Sequence, residues 1–232
     1  MYAFTMQDRN ELESLSLIAG GPVFGPDRHR GCEKGLVVMA SIKSVCVYCG
    51  SSNRVDSRFL NAATEFGRLM GEAGLELIYG GGRVGLMGRV ADGVLAAGGR
   101  VVGIIPRHLH EREVAHATVS ELLIVETMHE RKQLMAERAD AFVVLPGGYG
   151  TLDEMFEIIT WRQLGLHDKP LVLADLFGYW APLASLLDTI IATGFARPEC
   201  RNLYHTVTSV ADILPALAQA RPPALPVDTK WM

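Results

Sequence analysis

Two hydrophobic rhythms alternate along the chain from residue 44 to residue 220. Short apolar runs at 44–49, 75–79, 101–105, 122–125, 141–145 and 171–174, with a weaker one at 204–207, predict strands. Between them, stretches with helical periodicity at 58–73, 86–97, 129–138, 152–164, 180–193 and 210–220 predict helices. The strand runs are apolar at successive positions, so both faces are buried. Strands of that kind alternating with helices predict an α/β fold: one doubly wound, Rossmann-like parallel sheet with helices on both faces, in a single domain. Ligands in such sheets bind beyond the C-terminal strand ends, where the strand order reverses. Residues 1–38 lack this rhythm and mix Gly, Pro and charge, which predicts a flexible N-terminal extension ahead of a domain at 39–220. The Pro-rich stretch 221–232 predicts a poorly ordered tail.

Composition narrows the function. With 232 residues, 49% of them hydrophobic, the chain can bury one sizeable core. A net charge of −4 and the lack of any Lys/Arg run argue against a nucleic-acid partner. No apolar run is long enough to span a membrane, and Asp8, Glu11 and Glu13 stand where a signal peptide carries positive charge, so a cytoplasmic location is expected. Cys46 and Cys49 form a C-x-x-C pair, but inside a strand run their side chains point to opposite faces, which favours ordinary strand cysteines over a redox or zinc site. His108, His110, Glu111, Glu113 and His116 crowd one loop without the spacing of a helical H-E-x-x-H, so no metal is assigned.

Three strand ends run into small residues: CGSS with Ser51, YGGGRVGLMG with Gly81 and Gly82, and LPGGYGT with Gly147, Gly148, Tyr149, Gly150 and Thr151. Glycine lets backbone approach an anion, and a following helix supplies free N–H groups, so the three together predict a small phosphate-bearing ligand. Gly80, Gly82 and Gly85 form a G-x-G-x-x-G, but the next strand run ends Ile105-Pro106-Arg107 with no acid for a ribose, which disfavours a dinucleotide cofactor. Lys43, Lys132 and Lys169 lie in no context that suggests a Schiff base. Arg131 and Lys132 fall in the first turn of a predicted helix, where the dipole disfavours cations, and this too suggests an anionic partner. Thr151 and Glu154 have the spacing of a capping box, yet the same glutamate could be a catalytic acid facing a ligand.

MHERK at 128–132 and PGGYGTLDE at 146–154, with GGGRVGLMG and WRQLGLHDKP, make the chain resemble the LOG phosphoribohydrolases, which release cytokinin bases from riboside 5′-monophosphates. Older descriptions of such proteins as lysine decarboxylases gain no support from the lysines above. The resemblance covers about 44–210 and implies Arg131 and Glu154 as the catalytic pair. It implies nucleotide contacts by Glu113, Lys132, the 148–151 loop and Thr160, a homodimer with sites near the subunit interface, and no cofactor. The function it implies is hydrolysis of the N-glycosidic bond of AMP or an N6-substituted AMP, with a base pocket near Trp161. The alternative on the same fold is a non-catalytic nucleotide or molybdenum-cofactor carrier, which needs the glycine loops but not the pair.

Overall fold

A computed structural model describes residues 42–111 and 115–220; the expected extension, the tail and Glu113 lie outside the described residues. Among the described residues, seven strands form one sheet in which every ladder is parallel: β1 (Ser44–Tyr48), β2 (Glu76–Tyr79), β3 (Val101–Pro106), β4 (Glu121–Val125), β5 (Ala141–Val144), β6 (Leu171–Ala174) and β7 (His205–Val207). Their order is β4-β3-β2-β1-β5-β6-β7, so the chain winds outward from β1 in both directions and the order reverses between β1 and β5. The first strand occupies the centre because all five of its residues are buried, an arrangement only a strand covered on both faces permits.

The helices are α1 (Ser57–Glu72), α2 (Gly85–Ala96), α3 (Arg107–His110), α4 (Met128–Arg138), α5 (Tyr149–Gln163), α6 (Ala181–Ala192) and α7 (Ile213–Gln219). They divide the core into two layers. Phe66, Met70, Val90 and Val94 of α1 and α2 pack with Val45, Val47 and Cys49 on one face, while Met135, Met155 and Ile158 of α4 and α5 pack with Cys46, Tyr48 and Phe142 on the other. Cys46 and Cys49 therefore do face opposite layers, both as free thiols, and burial pushes both pKa values far up, which leaves them inert at neutral pH. Close packing of α1 on α2 depends on Gly67 and Gly93, whose Cβ positions would run into each other's helix backbone. No helix among the described residues is long and apolar enough to cross a membrane.

Three local departures from the predicted elements have physical causes. Residues 107–110, expected as loop, make the single turn α3 directly after Pro106. The last helix opens as a 3-10 turn at Val210–Asp212, and Pro215 sits in the first turn of α7, where its missing N–H costs nothing. Helix α5 begins at Tyr149 rather than 152. Its N-cap is Gly148, which contributes no side-chain hydrogen bond, so Thr151 lies inside the first turn and caps nothing.

Candidate active site

A cavity of about 830 Å³ opens at the C-terminal ends of β1, β2 and β5, at the reversal of strand order. This is ample room for a nucleotide-sized ligand. Its walls are the loop after β1 (Cys49, Gly50, Ser51, Ser52), the loop after β2 (Gly80, Gly82, Val84) and the segment 146–151 that leads into α5. Arg131 and Glu154 also line it.

Arg131 and Glu154 meet across the seam between α4 and α5. The Arg131 Nη1 lies 3.0 Å from Glu154 Oε1, and its Nε donates to the Ile104 carbonyl at 3.2 Å. The two residues are 5% and 3% exposed, so the pair is desolvated even though it borders the cavity. Burial raises the Glu154 pKa, and the Arg131 charge offsets this only in part. Glu154 thus faces Arg131 across the seam.

The seat of Arg131 is a glycine. A Cβ on Gly80 would overlap the Arg131 Nη2, so this residue of the G-x-G-x-x-G makes room for a side chain. Gly85, at φ 69°, likewise brings α2 against the backbone of Ser51 and Ser52, and Asn53 Oδ1 accepts its N–H at 2.9 Å. The motif here is a packing device for the loops after β1 and β2. Gly148 and Gly150 differ: a Cβ on either would meet no chain atom within 4 Å, and neither has a positive φ. Side chains there would obstruct only the approach to the α5 N-terminus, whose first N–H groups have no partner within the helix.

The side-chain N-cap that α5 lacks occurs on α4. Thr127 Oγ1 accepts the Glu130 N–H at 3.1 Å, and Glu130 Oε2 accepts the Glu126 N–H at 2.9 Å. Arg131 and Lys132 therefore start the second turn, and their anionic partners are carboxylates of α5. Lys132 Nζ lies 3.1 Å from both Asp153 Oδ2 and Glu157 Oε1. Burial opposes the Lys132 charge, but the two carboxylates outweigh it and raise its pKa. This places Lys132 in the α4–α5 seam, off the cavity wall.

The other expected contacts divide similarly. Ser51, Gly82, Gly147, Gly148, Tyr149, Gly150 and Thr151 line the cavity. Gly81 is buried behind it, with φ 74° and its carbonyl accepting the His116 N–H at 2.9 Å. Thr160 is exposed further along α5 and donates to the Phe156 carbonyl at 2.7 Å, while Trp161 packs into the core layer of α4 and α5, off the cavity wall. His116 is buried and pairs with Asp92 at 3.0 Å, and His108 is exposed on α3. No three His, Cys, Asp or Glu side chains converge among the described residues. Phe59 and Tyr179, which lie outside the motifs, also line the cavity, as does Met87 of the GGGRVGLMG stretch. Tyr179 follows β6, and the strand-end rule could have pointed to it.

A family profile described as "Possible lysine decarboxylase" matches residues 87–217. Among the described lysines of that stretch, Lys132 is held as above and Lys169 Nζ donates to the Ala136 carbonyl at 2.8 Å, so neither offers a free amine to the cavity. The chain is 42% identical over 180 residues to the cytokinin riboside 5′-monophosphate phosphoribohydrolase LOG of Oryza sativa subsp. japonica, covering 78% of this chain and 74% of that one. It is 41% identical over 186 residues to LOG5 of Arabidopsis thaliana, a cytokinin riboside 5′-monophosphate phosphoribohydrolase, covering 80% and 82% respectively. Among solved structures, the molybdenum cofactor carrier protein of Chlamydomonas reinhardtii superposes with a TM-score of 0.59 at 22% identity, covering 77% of this chain and 98% of that one, a likeness of fold.

Proposed function

Because the chain belongs to the LOG family of cytokinin riboside 5′-monophosphate phosphoribohydrolases, we propose that it hydrolyses the N-glycosidic bond of an adenosine 5′-monophosphate, plain or N6-substituted. The products are the free base and ribose 5-phosphate. The observation that carries this reading is the desolvated Arg131–Glu154 pair on the wall of a cavity that also holds the N-terminus of α5.

The chemistry follows from these positions. The 5′-phosphate sits at the α5 N-terminus, against the N–H groups of 148–151 and the hydroxyls of Ser51 and Thr151. The bond from C1′ to the base nitrogen breaks with its electron pair leaving on the base, and positive charge develops on the sugar as in glycoside hydrolysis. Glu154 stabilises that charge and accepts the proton of the water whose oxygen bonds to C1′; a proton returns to the departing base. Arg131 holds the carboxylate in place through its charge-assisted hydrogen bond. Lys132 keeps α4 and α5 in register beside the pair. No cofactor has a step in this scheme.

In this reading the protein works in the cytoplasm as a homodimer. Apolar side chains left at its surface, among them Leu186 of α6 and Phe195 just beyond it, at 52% and 88% exposure, favour a second copy. Glu113 and Thr160 are the residues whose roles the dimer would explain.

The test is base release. Wild-type protein incubated with AMP and with isopentenyl-AMP, without added cofactor, is expected to liberate base detectable by chromatography. Glu154→Gln and Arg131→Ala should each lower the rate on the order of 10²–10⁴-fold. Near-wild-type rates in both variants would falsify the assignment. Thermal melts must accompany the assay, because Arg131→Ala strands a buried carboxylate. Tight nucleotide binding without turnover by the wild type would instead support a carrier.

A further inference from the structure

We propose that Tyr179 is a positioning residue that locks the peptide between Gly147 and Gly148 in the orientation that binds phosphate. The proposal rests on the reading that the 5′-phosphate sits at the α5 N-terminus. Tyr179 lines the cavity, and its hydroxyl donates to the Gly147 carbonyl at 2.6 Å. In a trans peptide the carbonyl and the following N–H point in opposite directions, so holding the Gly147 oxygen fixes the Gly148 N–H. A Gly–Gly peptide has no Cβ on either side to resist rotation. Flipped, it would turn its carbonyl dipole to where its N–H dipole had pointed, and an anion bound by that N–H would be repelled.

The chain invests in aiming this hydroxyl. Immediately before Tyr179, Phe177 (φ 60°) and Gly178 (φ 73°) are both left-handed, and Phe177 is the only non-glycine residue so placed among the described residues. Non-glycine residues persist there only where their surroundings enforce it, and such outliers cluster at functional sites. The surroundings are visible. Phe177 meets Phe59 edge-on at 5.4 Å, the Arg58 guanidinium covers both rings at 4.9 and 5.1 Å, and Asp175 Oδ1 accepts the Trp180 N–H at 2.6 Å. Phe59 and Trp180 then hold the Tyr179 ring edge-on at 5.7 and 4.7 Å. Everything that fixes the turn also fixes the direction of one O–H.

Tyr179→Phe removes the hydroxyl and keeps the ring. The dissociation constant for ribose 5-phosphate, measured by calorimetry on the full chain, should rise about tenfold, the weight of one lost hydrogen bond. The KM for AMP should rise by a similar factor while kcat changes less than about threefold, and the melting temperature of the free protein should stay near the wild type. A purely structural tyrosine would lower the melting temperature and leave KM in place, and that result overturns the proposal. Phe177→Val, β-branched and ill-suited to the left-handed region, should weaken ribose 5-phosphate binding more than Phe177→Gly does; the reverse order also overturns it. If wild-type protein fails to bind ribose 5-phosphate, the phosphate reading itself fails. If the wild type binds and Tyr179→Phe binds equally well, only the role of Tyr179 is lost.

Discussion

Glu154 carries two burdens that pull its proton affinity in opposite directions, and burial is the larger. Its pKa lies above the ordinary glutamate value of about 4.3, so the proton is held to higher pH than on the surface. If the ionised form accepts the proton of water, kcat/KM must fall on acidification with a midpoint above that value, and Glu154→Gln must abolish this limb in what activity remains. A pH profile on AMP with an acid midpoint at or below about 4.3 would contradict it. The sign for stability is the reverse. The folded chain binds this proton more tightly than the unfolded one, so the contribution of Glu154 declines as pH rises from the ordinary value toward its folded pKa. Motifs made Arg131 and Glu154 legible, since both stand in distinctive local sequences. The role of Gly80 was not legible, because its reason is the guanidinium of a helix far along the chain.

Helix α4 delivers Arg131 to the seam, and the Thr127 N-cap fixes where that helix starts. Thr127→Ala should cost about 1 kcal/mol of unfolding free energy, measured by denaturant titration. It should also lower kcat more than the same loss of stability elsewhere, because fraying the first turn loosens the backbone next to Arg131. Unchanged stability would show that the Thr127 hydroxyl contributes nothing to the cap. Thr127 and Glu130 share their spacing with Thr151 and Glu154, so spacing alone does not say which helix has the side-chain cap, and the Gly148 N-cap of α5 leaves no side-chain signal. The strands were easier. The residues of β1, β3, β5 and β6 are buried on both faces and read as almost continuous apolar runs, whereas β4 and β7 at the sheet edges are partly exposed and give a weaker signal.

At the scale of the whole molecule, the proposed dimer predicts a sedimenting mass of twice 25.3 kDa. Specific activity should fall on dilution below the dissociation constant; a monomer with full activity at every concentration would remove the dimer from the mechanism. The existence of the sheet was readable, but its order was not: pairing β1 with both β2 and β5 is a long-range choice, and it alone brings three separate glycine-bearing loops to one cavity. Those loops also divide the labour between strands. The proposed anion cradle lies in the chain after β5, whereas the space for the guanidinium lies in the chain after β2. Recognition and reaction would then rest on separate loops. A methyl group at position 80 would occupy the place of the Arg131 Nη2, so Gly80→Ala should displace the guanidinium and slow base release from AMP while ribose 5-phosphate binding stays near the wild type.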